Sequence, residues 1–187
     1  VSEMEYDLAI RIGVKPEKII VNGPYKPARE IEKFLLNGSI VNLDSYTEAN
    51  MLKEIARRYP KSVFNIGVRC NFEFSGLTTS RFGFDTEDKS FYSLINELQE
   101  IDNIVFTVLH CHFPNRDVLL FEERVTKMLN LYRRVVKDGQ PSIIDLGGGL
   151  GGNVNEFIKK QLNYTVAEYK DYAEVIAKKF ENEFKND

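Results

Sequence analysis

Five short runs rich in β-branched residues, Lys18–Asn22, Ile40–Asp44, Val63–Asn71, Ile104–His112 and Ser142–Gly147, recur along the chain with segments of helical period between them. Runs that are apolar nearly throughout and bounded by turn residues read as strands buried on both faces of a parallel sheet. Strict alternation with helices requires right-handed crossovers and a mostly parallel sheet. The order αβαβαβαβαβα leaves two architectures: an open doubly wound sheet, or a run of (β/α)8 barrel units. Crossover spacing alone does not separate them.

The helical segments carry their own start and stop signals. The first has Met4, Leu8 and Ile12 at helical spacing, with Ser2 and Glu5 as a capping box. Pro27 suits the first position of the next, which turns Ile31, Phe34 and Leu35 inward and ends at Gly38. Ser45 and Glu48 form another capping box ahead of Met51, Leu52, Ile55 and Ala56. Phe91, Leu94, Ile95, Leu98 and Ile101 stripe the fourth helix. Asp117 opens a longer one with Phe121, Val125, Met128, Leu129 and Tyr132. Thr165 and Glu168 cap the last, whose stripe is Val166, Tyr169, Tyr172, Ala173, Ile176, Ala177 and Phe180.

With 187 residues, 43% apolar and 28% charged, the chain is long enough for one domain with a real core, and no linker or charge block divides it. A net charge of −3 without a basic stripe points away from nucleic acid and anionic membranes. The longest apolar run, Ile104–Leu109, is too short to span a bilayer, and the amino terminus has no signal-peptide pattern. Cys70 and Cys111 lack metal-type spacing and read as buried or semi-buried thiols of a reducing compartment, hence a cytoplasmic protein. The chain opens VSEMEYDLA, without an initiator methionine and already in helical period, so a piece of a longer protein is expected.

Polar and glycine-rich residues gather just after each strand run: NGPYK, DS, RCN, HCHFPN and DLGGGLGG. At the carboxyl ends of parallel strands these converge on one rim. In Asp145-Leu146-Gly147-Gly148-Gly149-Leu150-Gly151-Gly152 successive glycines can turn N–H groups toward an anion, a phosphate nest. A bare tight turn would not require so many, and the Lys-Ser/Thr of a P-loop is missing.

His110 and His112, the only histidines, alternate along a strand and share a face, with Cys111 opposite. They read either as satisfied core histidines or as a ring laid against a heteroaromatic cofactor; no third metal ligand accompanies them. Arg69 ends a buried strand and needs a partner. Either it makes a structural salt bridge, to Asp44 or Asp145, or it orients a catalytic histidine or cofactor ring. Ser80-Arg81-Phe82-Gly83-Phe84-Asp85 is a turn with aromatic anchors. The longest insertion, Phe72–Thr86, holds Gly76, Thr78, Thr79 and Ser80 on the side where loops carry function. Lys26 reads as a phosphate contact or a solvated lysine.

NGPYK, DS with Glu48, VRCN, SRFGF, LHCH and DLGGG, in this order and nearly from end to end, resemble the group IV pyridoxal-phosphate decarboxylases. That family acts on diaminopimelate, ornithine, arginine and lysine and is related in fold to alanine racemase. The resemblance implies an α/β fold, a partial (β/α)8 TIM-type barrel of about five parallel strands, with residues 1–187 as one domain from the second barrel helix to the seventh. It implies pyridoxal 5'-phosphate as cofactor, with His112 stacked on the pyridine ring, Gly147, Gly148 and Gly149 on its phosphate, and Arg69 behind the ring. An amino-acid substrate and a homodimer follow from it as well. Glu5 falls where the family has a glutamate near the site, and Arg81 where a basic residue lies near the subunit interface.

The departures are equally specific. The family's Schiff-base lysine, in an AxKAN motif on the first strand, has no match, nor do the EPGR segment of the eighth strand and the C-terminal β-domain. Lys26 follows the wrong strand for that role. After LHCH the family has Phe or Ile and then Gly-Ser, whereas Phe113-Pro114-Asn115 stands here, which hints at an atypical substrate. The chain alone is therefore expected to be inactive and, with open sheet edges, to self-associate. Alternatives are a racemase, a catalytically dead barrel relative, or a methyltransferase of S-adenosylmethionine type, whose first motif DLGGGLGG also resembles.

Overall fold

Each principal strand lies beside its predecessor, and that order separates the two architectures. The sheet runs β1 (Ile20–Val21), β2 (Ile40–Leu43), β3 (Phe64–Asn71), β5 (Ile104–His110), β6 (Ile143–Asp145), all parallel. A doubly wound sheet reverses its order at a switch point; a barrel does not. With α1 (Glu3–Arg11), α2 (Ala28–Leu36), α3 (Tyr46–Arg58), α4 (Lys89–Gln99), α5 (Val118–Val135) and α6 (Tyr169–Glu183), this is part of an α/β barrel. The computed structural model describes residues 2–74, 80–114, 117–150, 155, 157, 160–161 and 167–185. Gly76, Thr78, Thr79, Asn115, Gly151, Gly152, Thr165 and Val166 lie outside them.

A sixth strand, β4 (Phe84–Asp85), was not expected. It pairs in parallel with the end of β3, Cys70 to Phe84 and Asn71 to Asp85. Two residues leave no periodicity to read, so SRFGF showed only its turn. The core lies between sheet and helices. Val41, Leu43, Ile66, Val68 and Leu109 meet Phe34, Leu35, Leu52, Ile55, Phe91, Ile95 and Met128, all buried. Truncating any of the larger ones to alanine costs about 2–5 kcal/mol. Burial on both faces holds along most of β3, whereas β6 is half-buried throughout.

The helix ends follow local chemistry. Pro27 is the N-cap of α2 rather than its first residue: its ψ of 147° is extended, and its carbonyl accepts the Ile31 N–H at 3.0 Å. Gly38, at φ 87°, terminates the helix in a conformation that glycine adopts without strain. The Ser2–Glu5 capping box closes as expected. At Ser45 only half a box forms, because the hydroxyl accepts the Glu48 N–H while the Glu48 carboxylate turns elsewhere.

Two stripes fail to point inward. Met4, Leu8 and Ile12 of the first helix are 77%, 58% and 73% exposed. α1 docks instead through Glu3, Tyr6 and Asp7, one turn of a different face. Lys33 of α2 reaches Glu3 at 2.9 Å and Asp7 at 2.8 Å, and the Tyr6 ring packs on Phe34. In α6, which begins at the Glu168–Asp171 capping box, only Tyr172 is fully buried, against Phe121; Tyr169, Ala173 and Ala177 are exposed.

Candidate functional site

Strand register assembles the site. Arg69 on β3 stands opposite His110 on β5, and His110 opposite Asp145 on β6. Residues level in a parallel sheet point to the same face, so these three polar side chains share one surface. Val68, Leu109 and Ile144, one residue earlier and also level, take the opposite face with the core.

Above that polar surface lies a cleft of about 390 Å³, lined by Arg69, His110, His112, Asp145, Gly147 and Gly148, with Asn22 and Gly23 across it. The size suits a small-molecule site. Four of the five residues expected to hold a cofactor thus come together here. The fifth, Gly149, is the next residue of the same turn, at φ 93°.

The glycine turn and the second histidine meet directly: Gly148 N–H donates to His112 Nδ1 at 3.3 Å. That bond leaves the lone pair on Nδ1 and the proton on Nε2, the neutral tautomer. Burial pushes the His112 pKa down, and the nearby charge of Arg69 pushes it the same way. Gly147 is required by close approach. At φ 70° it passes so near strand β5's end that a Cβ would overlap the Cys111 carbonyl oxygen and stand 3.0 Å from His112 Nδ1.

Arg69 donates to Asp44 Oδ1 at 3.0 Å and to the His112 carbonyl at 3.4 Å. Of its two expected partners Asp44 is the one used. The other oxygen of Asp44 accepts the Gly83 N–H at 3.1 Å, and the Phe82 ring lies 5.1 Å from the guanidinium. The SRFGF turn therefore closes over Arg69, and Gly83 allows it, since a Cβ there would stand 2.6 Å from the Arg69 carbonyl. Arg81 itself is exposed, stacked on Phe82, and Glu5 is spent on its cap; neither lines the cleft.

Asp145 is the hub of the floor. Its Oδ2 lies 2.8 Å from His110 Nδ1, and its Oδ1 accepts the Gly147 N–H at 2.8 Å. Burial raises its pKa, but His110, the Gly147 N–H and Asn22 together outweigh that and hold the carboxyl below its usual range. Asn22 in turn accepts a hydrogen bond from Asn42. Asn42 fits because Gly67 has no Cβ; one there would overlap Asn42 Oδ1, at the point where the β3–β5 register shifts.

Lys26 is neither solvated nor in the cleft. It is 1% exposed, with Nζ 2.8 Å from Glu48 Oε2 and 2.7 Å from the Gly23 carbonyl. Glu48 also accepts the N–H groups of Lys26 and Asp44, which ties the loops after β1 and β2 together. Both thiols are buried; burial pushes Cys111 to about 12 and Cys70 well above the ordinary value. Among the described residues no three metal-ligating side chains gather, and no helix is long and apolar enough to cross a membrane.

The sequence reading missed Asn42 and the pairing of His110 with Asp145. It also missed Arg124, which donates to the carbonyls of Leu146, Gly148 and Phe113. Its signal was present: an arginine inside the stripe Phe121, Val125, Met128.

Residues 1–187 match the family "Pyridoxal-dependent decarboxylase, pyridoxal binding domain". A diaminopimelate decarboxylase of Aquifex aeolicus is 29% identical over an alignment of 165 residues that covers 81% of this chain and 38% of the relative. In structure the chain resembles diaminopimelate decarboxylase from M. jannaschi, with a TM-score of 0.79 and 23% identity over all of this chain and 44% of that one. It also resembles the Helicobacter pylori enzyme complexed with L-lysine, at 0.78 and 22% over 97% and 47%. At these identities the structural likenesses show the fold alone, and the chain spans less than half the length of the relatives it matches. The match to the family's sequence pattern, unbroken across the fold and the cleft just described, settles the relationship: this chain belongs to the pyridoxal-binding domain family of the pyridoxal-dependent decarboxylases.

Proposed function

We propose that the chain is the cofactor-holding part of a pyridoxal-phosphate-dependent decarboxylase for a basic or diamino acid, diaminopimelate being the first candidate. The observation that carries the reading is the contact between His112 and Gly148, which puts a neutral imidazole and a glycine turn on one mouth of the sheet. A flat phosphorylated ring fits the size and lining of this cleft. Gly147 opens a cradle that a side chain would close, the imidazole offers an uncharged face, and Arg69 is fixed beside it by Asp44.

When bound, pyridoxal phosphate supplies an electron sink for the charge left as carbon dioxide departs. The residues here bind and orient. In this reading His112 would stack on the ring, Gly147, Gly148 and Gly149 would hold the phosphate, and Arg69 would support the ring. The lysine that joins the cofactor and the carboxylate at its ring nitrogen have no counterpart among the motifs of residues 1–187, so the reaction belongs to the parent protein and the chain alone is inactive. We place that parent in the cytoplasm, in keeping with two buried thiols, and as a homodimer, in keeping with the exposed Met4, Leu8 and Ile12.

The protein as its gene encodes it should release carbon dioxide from diaminopimelate, lysine, ornithine or arginine only with pyridoxal phosphate present, and His112→Ala should bind the cofactor more weakly. No release from any of the four, or no cofactor retained, would overturn the reading. Sedimentation that shows a monomer at all concentrations would overturn the dimer.

A further inference from the structure

A wholly buried arginine lies behind the glycine turn. Arg124, 0% exposed, leaves α5 where its apolar stripe would place another hydrophobic residue. Its Nη1 donates to the Leu146 carbonyl at 3.0 Å and the Gly148 carbonyl at 3.4 Å, and its Nη2 to the Phe113 carbonyl at 3.4 Å. The guanidinium sits 3.9 Å from the centre of the Phe121 ring, which fixes its plane. Putting a charge at this depth is costly unless its donors are used, and here both Nη groups donate to carbonyls, two in the turn and one at Phe113.

Peptide planarity converts these bonds into a statement about N–H groups. A carbonyl drawn toward Arg124 sends the N–H of the same peptide the other way. The Leu146 carbonyl shares its peptide with the Gly147 N–H, which is found on Asp145 Oδ1. The Gly148 carbonyl shares its peptide with the Gly149 N–H, which is thereby aimed away from the buried guanidinium. Without Arg124 the Leu146 peptide would keep only its hold on Asp145, and the Gly148 carbonyl would be free to rotate toward the cleft, where its negative end would repel an anion.

We propose that Arg124 is the positioning residue of the turn's anion site: it holds the Leu146 and Gly148 carbonyls back and adds a buried positive charge behind the place of the cofactor's phosphate. This deepens the reading that the turn takes that phosphate and rests on it. At low dielectric such a charge acts over several ångströms, and the residue touches no reacting atom.

The test compares pyridoxal phosphate with unphosphorylated pyridoxal, titrated against the apo form of the protein as its gene encodes it. In Arg124→Met, with folding checked by thermal unfolding, affinity for pyridoxal phosphate should fall about ten- to a hundredfold while that for pyridoxal changes less than about twofold. Equal loss of both ligands, or no loss, assigns Arg124 a packing role only and overturns the proposal. If the methionine variant does not fold, Arg124→Lys decides, because a single ammonium cannot serve three carbonyls as the fork does. A loss of phosphate preference of about threefold or more supports the proposal, and an unchanged preference overturns it. A wild-type protein that binds the two ligands equally overturns the reading of the turn itself, and this inference with it.

Discussion

His110 and Asp145 are register partners across β5 and β6, and the Nδ1 of the first stands 2.8 Å from the Oδ2 of the second. Because the other oxygen of Asp145 takes the Gly147 N–H, one carboxylate joins the cleft floor to its glycine turn. Asp145→Asn keeps the shape and removes the charge, and should lower stability by about 1–2 kcal/mol at pH 7. The carboxyl titrates below its unfolded value, so the stabilisation is present above about pH 4 and is lost as pH falls through the folded value. Urea unfolding at pH 7 and pH 3 should show wild type and variant converging in acid; a gap that stays constant would mean the charge contributes nothing.

Glycines of the same turn should differ sharply. Gly147→Ala faces both a φ of 70° and overlap with the Cys111 carbonyl, a cost of about 2 kcal/mol or more. At Gly148 the nearest atom to an added Cβ is His112 Cε1 at 4.0 Å, so Gly148→Ala should cost less than about 1 kcal/mol. Denaturant midpoints of the two variants check this, and equal midpoints would contradict it.

His112 should titrate below the ordinary histidine value of 6.5, since burial and then Arg69 oppose its protonation. The unfolded chain takes up that proton more readily, so this group lowers stability as pH drops below about 6.5. In Arg69→Met the His112 titration should move upward, read from imidazole chemical shifts. A downward or absent shift would show that Arg69 does not act on the ring.

Lys26 and Glu48 form a buried pair whose halves are costly alone. Lys26→Met leaves the Glu48 carboxylate buried without its cation, a loss of about 3–5 kcal/mol. The double variant Lys26→Met, Glu48→Gln should be more stable than Lys26→Met, because no lone charge remains. Equilibrium unfolding of the two proteins decides, and a further loss in the double variant would sink the argument.

Sequence alone revealed the parts of this fold that local pattern controls. β3 was readable from Phe64, Ile66, Val68 and Cys70 at every second residue, and β5 from Ile, Val, Phe and Leu at five of its seven positions. The rim was readable because polar residues follow each strand. Periodicity, however, shows that a helix has a face and not what covers it, so Met4, Leu8 and Ile12 looked like core and are exposed. Arg69 was legible as a residue in need of a partner, and only the register chose Asp44 over Asp145. Lys26 with Glu48, and Arg124 with Leu146, pair residues 22 apart in sequence, beyond any spacing rule.

The strand order has a consequence for how the cleft comes into being. Asn22, Asp44, Arg69, His110 and Asp145 follow one another both along the chain and around the arc of the sheet. Each principal strand therefore brings one polar group to the rim, and each after β1 pairs with the principal strand before it. The order of the groups along the chain and their order around the site are thus the same, and the turn after β6 meets the histidine that follows β5.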